Sequence, residues 1–247
     1  MIHLFLGNPR PWHTHYYCAL ALIPALMLQL TLFKIVHNER TAGGSICAMA
    51  VFAYFIKAHS SLTVLLNTGF LFAWGVRICV RGVPHVKDTF VRPSACDTGV
   101  SKTVWTWVLC APTVFAVAFD EDELLQGYPF IGTFLCLYAL IIDIVDCVST
   151  VKNITRNPYV FSSLAMSWGL YLIHPSLWTI LFPLIFSSIV VRAPAGFRWN
   201  EVLLQSKMHS DPAILEYVRG TSPIFPMPSG TYKTVPMVLK RLVFCEF

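Results

Sequence analysis

Charge is what this chain has least of. Lys, Arg, Asp and Glu make up 13% of its 247 residues, where a soluble globular protein carries about 25%. Hydrophobic residues reach 55%, and the mean hydropathy is +0.61. A water-soluble fold cannot hide so much apolar surface, so the composition predicts a polytopic membrane protein. The eight cysteines include no Cys-x-x-Cys pair, and most sit inside apolar runs, where cysteine acts as a small hydrophobe. Neither a disulfide framework nor a metal cluster is expected. His13 and His15, with Cys18 nearby, read as an interfacial polar segment rather than as metal ligands. A cleavable signal is not expected either: Pro9, Arg10, Pro11, His13 and His15 stand where a basic stretch would lead into an apolar one. An Arg- and Ser-rich presequence, a second domain, a low-complexity tract and the inverted repeats of transporters are likewise absent from the pattern.

What is abundant is the apolar run. Tyr16–Phe33, Ala42–Ile56, Ser61–Val76, Thr103–Phe119, Tyr128–Val148, Val160–Ile173 and Leu177–Val191 read as seven membrane helices, several of them short. Charge gives an independent check. With seven spans, 16 of the 18 Lys and Arg fall on the side shared with the C-terminal tail, leaving Arg10 and Lys57 opposite, together with the acidic run Asp120 to Glu123. The positive-inside rule predicts such a split and puts the tail in the cytosol or the mitochondrial matrix. Residues 1–191 are thus expected to form an all-α transmembrane bundle, and 192–247 a basic-side tail of the same domain. In the tail, Asp211 and Pro212 suit the cap and first residue of a short helix through Arg219. The segment from Val235 to Phe247 sets apolar residues around Lys240 and Arg241, as in an amphipathic stretch lying on a membrane surface.

The stretch ITRNPYVFSSLAMSWGLYL, Ile154 to Leu172, carries the strongest motif. Asn157 and Pro158 suit the cap and first residue of a helix. Arg156 beside that helix start would attract phosphate, or simply mark the membrane boundary. Asp143 and Asp146 close the fifth run, where Lys152 or Arg156 would pair with them. Such charges either tie helices together or contact a lipid headgroup or nucleotide.

At this point the sequence resembles the steroid 5-alpha-reductase-like membrane proteins, in particular their bacterial and organellar branch. The family hallmark reads Arg-(His/Asn)-Pro-Asn-Tyr-x-Gly-Glu, followed by Trp-Gly, and Arg156, Asn157, Pro158, Trp168 and Gly169 match it. FAWGVRI (Phe72–Ile78), Asp146 followed by Lys152, and EYVRGTSPIFP (Glu216–Pro226) are similar to other family segments in the same order, so the likeness spans about two thirds of the chain. It implies about seven helices, NADPH taken up from the positive side, an apolar lipid substrate, and hydride transfer to a conjugated carbon–carbon double bond. A related branch uses S-adenosylmethionine to methylate a lipidated cysteine. The residues the resemblance would bring to a nucleotide or headgroup are Arg156, Asn157, Asp146, Tyr217 and Arg77.

The departures weigh more. Tyr159, Val160, Ser162 and Ser163 stand where the family has Asn, Tyr, Gly and Glu. Valine has no phenolic proton to give, and serine is too short and uncharged to replace glutamate. Only a few residues around Val151–Thr155 separate the fifth run from Arg156, where the family has a glycine-containing loop. Losses among groups that act as a unit compound. The reading is therefore a pseudoenzyme with no catalytic residue and no expected cofactor. It would be an accessory subunit of a larger membrane complex such as a respiratory one in the mitochondrial inner membrane, with lipids and other subunits as partners and no nucleic acid. The alternative is an NADPH-dependent reductase of a lipid or steroid enone, for which the endoplasmic reticulum is the other location and Tyr217 or Tyr159 the proton donor.

Overall fold

A computed structural model describes residues 40–56, 62–81, 128–147, 155–175, 179–192, 201–202, 204, 206 and 212–243. The first and fourth apolar runs lie outside these residues, as do His13, His15, Cys18 and Lys152. The described chain is helical: α1 Arg40–Ile56, α2 Leu62–Arg81, α3 Pro129–Cys147, α4 Pro158–Ile173 and α5 Leu181–Arg192, then the short tail helices α6 Pro212–Gly220, α7 Ser229–Thr234 and α8 Met237–Val243. Among the described residues no strand occurs, and β pairing is confined to an isolated parallel bridge between Thr155 and Ser222. The all-α class expected from the apolar runs therefore holds. Within α2, Leu62–Val80 has the length and composition of a membrane span, and Pro129–Val145 is a shorter apolar helix.

Two compact units divide the chain. The first takes in the described residues up to Thr133 together with Gly169–Leu184, and the second takes in Phe134–Trp168 and the described residues from Ile185 onward.

In the first unit α1 and α2 form a hairpin whose backbones touch. Gly43 and Cys47 on α1 meet Gly75 and Cys79 on α2 in reciprocal fashion. A methyl group at Gly43 would lie 2.5 Å from the Gly75 carbonyl oxygen, and one at Gly75 would lie 2.7 Å from Cys47 Sγ. Small residues four apart on both helices permit this approach, and dispersion between close backbones holds helices together where water supplies no drive. Cys47 Sγ also donates to the Phe72 carbonyl at 3.7 Å. On α2 the buried positions Val64, Asn67, Thr68, Leu71, Trp74, Gly75 and Ile78 follow helical spacing. The opposite face is just as apolar, with Leu62 70% and Val80 68% exposed. Asn67 Nδ2 donates to the Leu170 carbonyl at 3.2 Å, so a buried amide ties α2 to the end of α4. Gly132 near the start of α3 approaches the same end, since a methyl group there would lie 2.6 Å from the Gly169 oxygen.

In the second unit α3 and α4 pack through Tyr138, whose ring meets Phe161 edge to face at 5.7 Å; Phe161 in turn meets Phe225 at 5.9 Å. Cys136 is buried with its sulfur 4.0 Å from the Met166 carbonyl. Trp168 Nε1 donates to Ser187 Oγ at 3.1 Å and links α4 to α5. The outward face of α3 in this unit is an apolar stripe at three- and four-residue steps, Phe134, Leu137, Ile141 and Ile144, all exposed.

Candidate functional site

The Arg-Asn-Pro motif sits at the start of α4, where the chain turns from an extended segment into a helix. Pro158 is the first helical residue, which suits a ring that fixes φ and lacks an N–H. The Asn157 carbonyl accepts the first helical bonds, from Val160 N at 3.1 Å and Phe161 N at 3.3 Å. Just before it, the extended residues pair with the segment that follows α6. Arg156 N donates to the Ser222 carbonyl at 2.8 Å, and Thr155 Oγ1 donates to the Ile224 carbonyl at 2.9 Å. Thr155 and Ser222 are fully buried.

Glu201 completes the site. Its Oε2 lies 2.8 Å from Arg156 Nη1, and both side chains are almost wholly buried, at 1% and 2% exposure. Its Oε1 accepts from Asn157 Nδ2 at 3.1 Å, while the same Nδ2 donates to the Pro223 carbonyl at 3.0 Å. Both hydrogens of the Asn157 amide are therefore used, and each carboxylate oxygen of Glu201 has a donor. A carboxylate taken out of water is tolerable only with such partners on its oxygens. The result is a knot of three chain segments, around 155–157, 201 and 222–224, closed by one ion pair and four hydrogen bonds.

Of the residues that the sequence singled out, Arg156 and Asn157 come together here. Tyr217 lies on α6, and its carbonyl accepts from Thr221 N at 3.0 Å and Thr221 Oγ1 at 2.6 Å, which ends the helix and delivers the chain to Ser222. Arg77 belongs to the first unit, where its guanidinium lies 5.3 Å from the centre of the Trp74 ring. Asp146 is helical but its side chain lies outside the described residues, and Asp143 is buried. At the positions that depart from the family hallmark, Ser162 Oγ donates to its own helix at the Tyr159 carbonyl, 3.0 Å away, and Val160 and Ser163 are buried. Among the described residues no group of three or more His, Cys, Asp or Glu is placed to hold a metal ion.

Glu201 is the residue that sequence reasoning missed. It lies 45 positions beyond Arg156, and its only local signal is a carboxylate inside the apolar and aromatic stretch FRWNEVLL (Phe197–Leu204). A search of known protein families, of characterised proteins and of solved structures finds no match to this chain.

Proposed function

We propose that this chain is a noncatalytic accessory subunit of a larger membrane assembly, with a seven-pass bundle on a steroid-reductase-like scaffold. The observation that carries the reading is the use to which Arg156 and Asn157 are put. Where the family likeness would have them meet a nucleotide, Glu201 and the Pro223 carbonyl occupy the Arg156 Nη1 and both Asn157 amide hydrogens in a buried network. The Arg156 Nη1 and the Asn157 amide, already engaged by the protein, must break those bonds before they bind a phosphate, and that cost weakens any cofactor. Ser162 and Ser163 in place of glycine and glutamate point the same way.

The exposed apolar faces support the membrane and assembly part of the reading. The α3 stripe and the outer face of α2 require lipid or neighbouring helices. We favour a respiratory assembly of the mitochondrial inner membrane because the likeness is to the organellar branch, with the tail on the matrix side.

The test is purification of the chain from native membranes in mild detergent. Stoichiometric partner subunits and no bound nucleotide are expected. A chain that elutes alone with NADPH, and reduces a lipid enone, would establish the reductase reading instead.

A further inference from the structure

We infer that the tail carries a receiving site for the phosphate of an anionic lipid headgroup, in an open cleft formed by α6, α7 and α8. The inference rests on the membrane part of the reading above and is independent of whether the chain is catalytic. The cleft has a volume of about 560 Å³, with Leu215, Glu216 and Arg219 of α6 on one side and Lys233 and Lys240 on the other. Three cations thus face a single carboxylate. Glu216 neutralises little of that charge: its Oε1 is 3.7 Å from Lys233 Nζ, and the side chains are 80% and 52% exposed. An exposed pair at that distance is weak and easily exchanged.

Lys240 is held where it is useful. Its ammonium lies 4.4 Å from the centre of the Tyr232 ring, and Tyr232 is fully buried, so a rigid aromatic face fixes the position of a flexible cation at the cleft. Arg219 is exposed at the end of α6, one helical turn beyond Leu215, with its planar fork available to a phosphate.

The neighbouring surface says which kind of anion. Met237, Val238 and Leu239, immediately before Lys240 and Arg241 on α8, are 60%, 68% and 47% exposed. Three consecutive exposed apolar residues beside a cluster of cations suit the boundary of a bilayer, where acyl chains cover the first and phosphates meet the second. A soluble anion would satisfy the cations and leave the apolar residues bare.

The experiment uses the full chain purified in mild detergent. It is titrated with short-chain phosphatidylglycerol, phosphatidylcholine of the same chain length, or inorganic phosphate, and binding is followed by tryptophan fluorescence and thermal unfolding. Saturable binding of phosphatidylglycerol is expected, with phosphatidylcholine and inorganic phosphate each at least about tenfold weaker. The double variant R219Q/K240Q should lose about tenfold or more, since each basic residue near a lipid surface contributes roughly a factor of five. M237S/L239S should weaken phosphatidylglycerol and leave inorganic phosphate unchanged. Removing the competing carboxylate, E216Q, alters an exposed residue that the fold does not need, and should tighten binding. Equal affinity for the two lipids, or unchanged affinity in both R219Q/K240Q and E216Q, would overturn the proposal. Phosphate binding as tight as lipid binding would assign the cleft to a free anion. A chain that stays in solution without detergent would instead overturn the membrane reading on which the proposal rests.

Discussion

At the scale of the residue, the fold is governed by what happens to a few polar groups in an apolar chain. Arg156 and Glu201 share burial, so the charge of either is tolerable only while the other is present. Removing the charge in E201Q should destabilise the chain by about 3–5 kcal/mol, because it strands a buried guanidinium. The double variant R156M/E201M, which removes both charges and keeps volume, should recover most of that loss; thermal unfolding of the three proteins in detergent measures it. If E201Q unfolds like the parent, the pair does not hold the knot. Thr155→Val tests the same junction more gently, since it deletes the hydroxyl that reaches the Ile224 carbonyl at 2.9 Å. A loss of about 1–3 kcal/mol is expected, because the carbonyl is left without that donor. The helix start at Asn157 and Pro158 could be read in the sequence because the preference of these residues for a helix start is local. Glu201 could not, because its partner is set by a tertiary approach of distant segments that leaves no periodic trace. The same holds for the Thr155–Ser222 bridge.

At the scale of the element, the apolar runs located α1 to α5 and misjudged the ends of two of them. The runs Ala42–Ile56, Tyr128–Val148 and Val160–Ile173 coincide within two residues with α1, α3 and α4. The run Ser61–Val76 stops short of α2, which continues to Arg81. Apolarity stops counting at Arg77, yet the guanidinium folds over the Trp74 ring and Ile78 beyond it is fully buried, so the helix continues. Leu177–Val191 begins early relative to α5, which starts at Leu181 after a turn at Thr179 and Ile180. Glycine spacing in the α1 and α2 hairpin gives a contrast within one helix. Gly43→Ala should weaken the hairpin, because the new methyl group meets the backbone of α2, whereas Gly44→Ala faces open space. The latter should gain up to about 1 kcal/mol from helix propensity. Thermal unfolding of the two variants should move in opposite directions, and a common direction would show that the backbones are not in contact.

At the scale of the whole molecule, the sparse charge and its proposed sidedness can be tested directly. The proposed seven-pass arrangement would put the tail with Lys233 and Lys240 on the side opposite Asp120 to Glu123. Single cysteines introduced at Thr231 and at Glu123 in a cysteine-free background should therefore react with a membrane-impermeant maleimide from opposite sides of sealed vesicles. Labelling from one side would require an even number of crossings between them. The measurement closest to the central claim is a thermal unfolding titration of the purified chain with NADPH. A ligand bound at a hundred times its dissociation constant stabilises the folded state by about 2.7 kcal/mol, which is easily seen. No displacement of the unfolding midpoint is expected at millimolar NADPH, because the Arg156 Nη1 and the Asn157 amide are already occupied by Glu201 and Pro223. A saturable upward shift would contradict it and return the motif to cofactor chemistry.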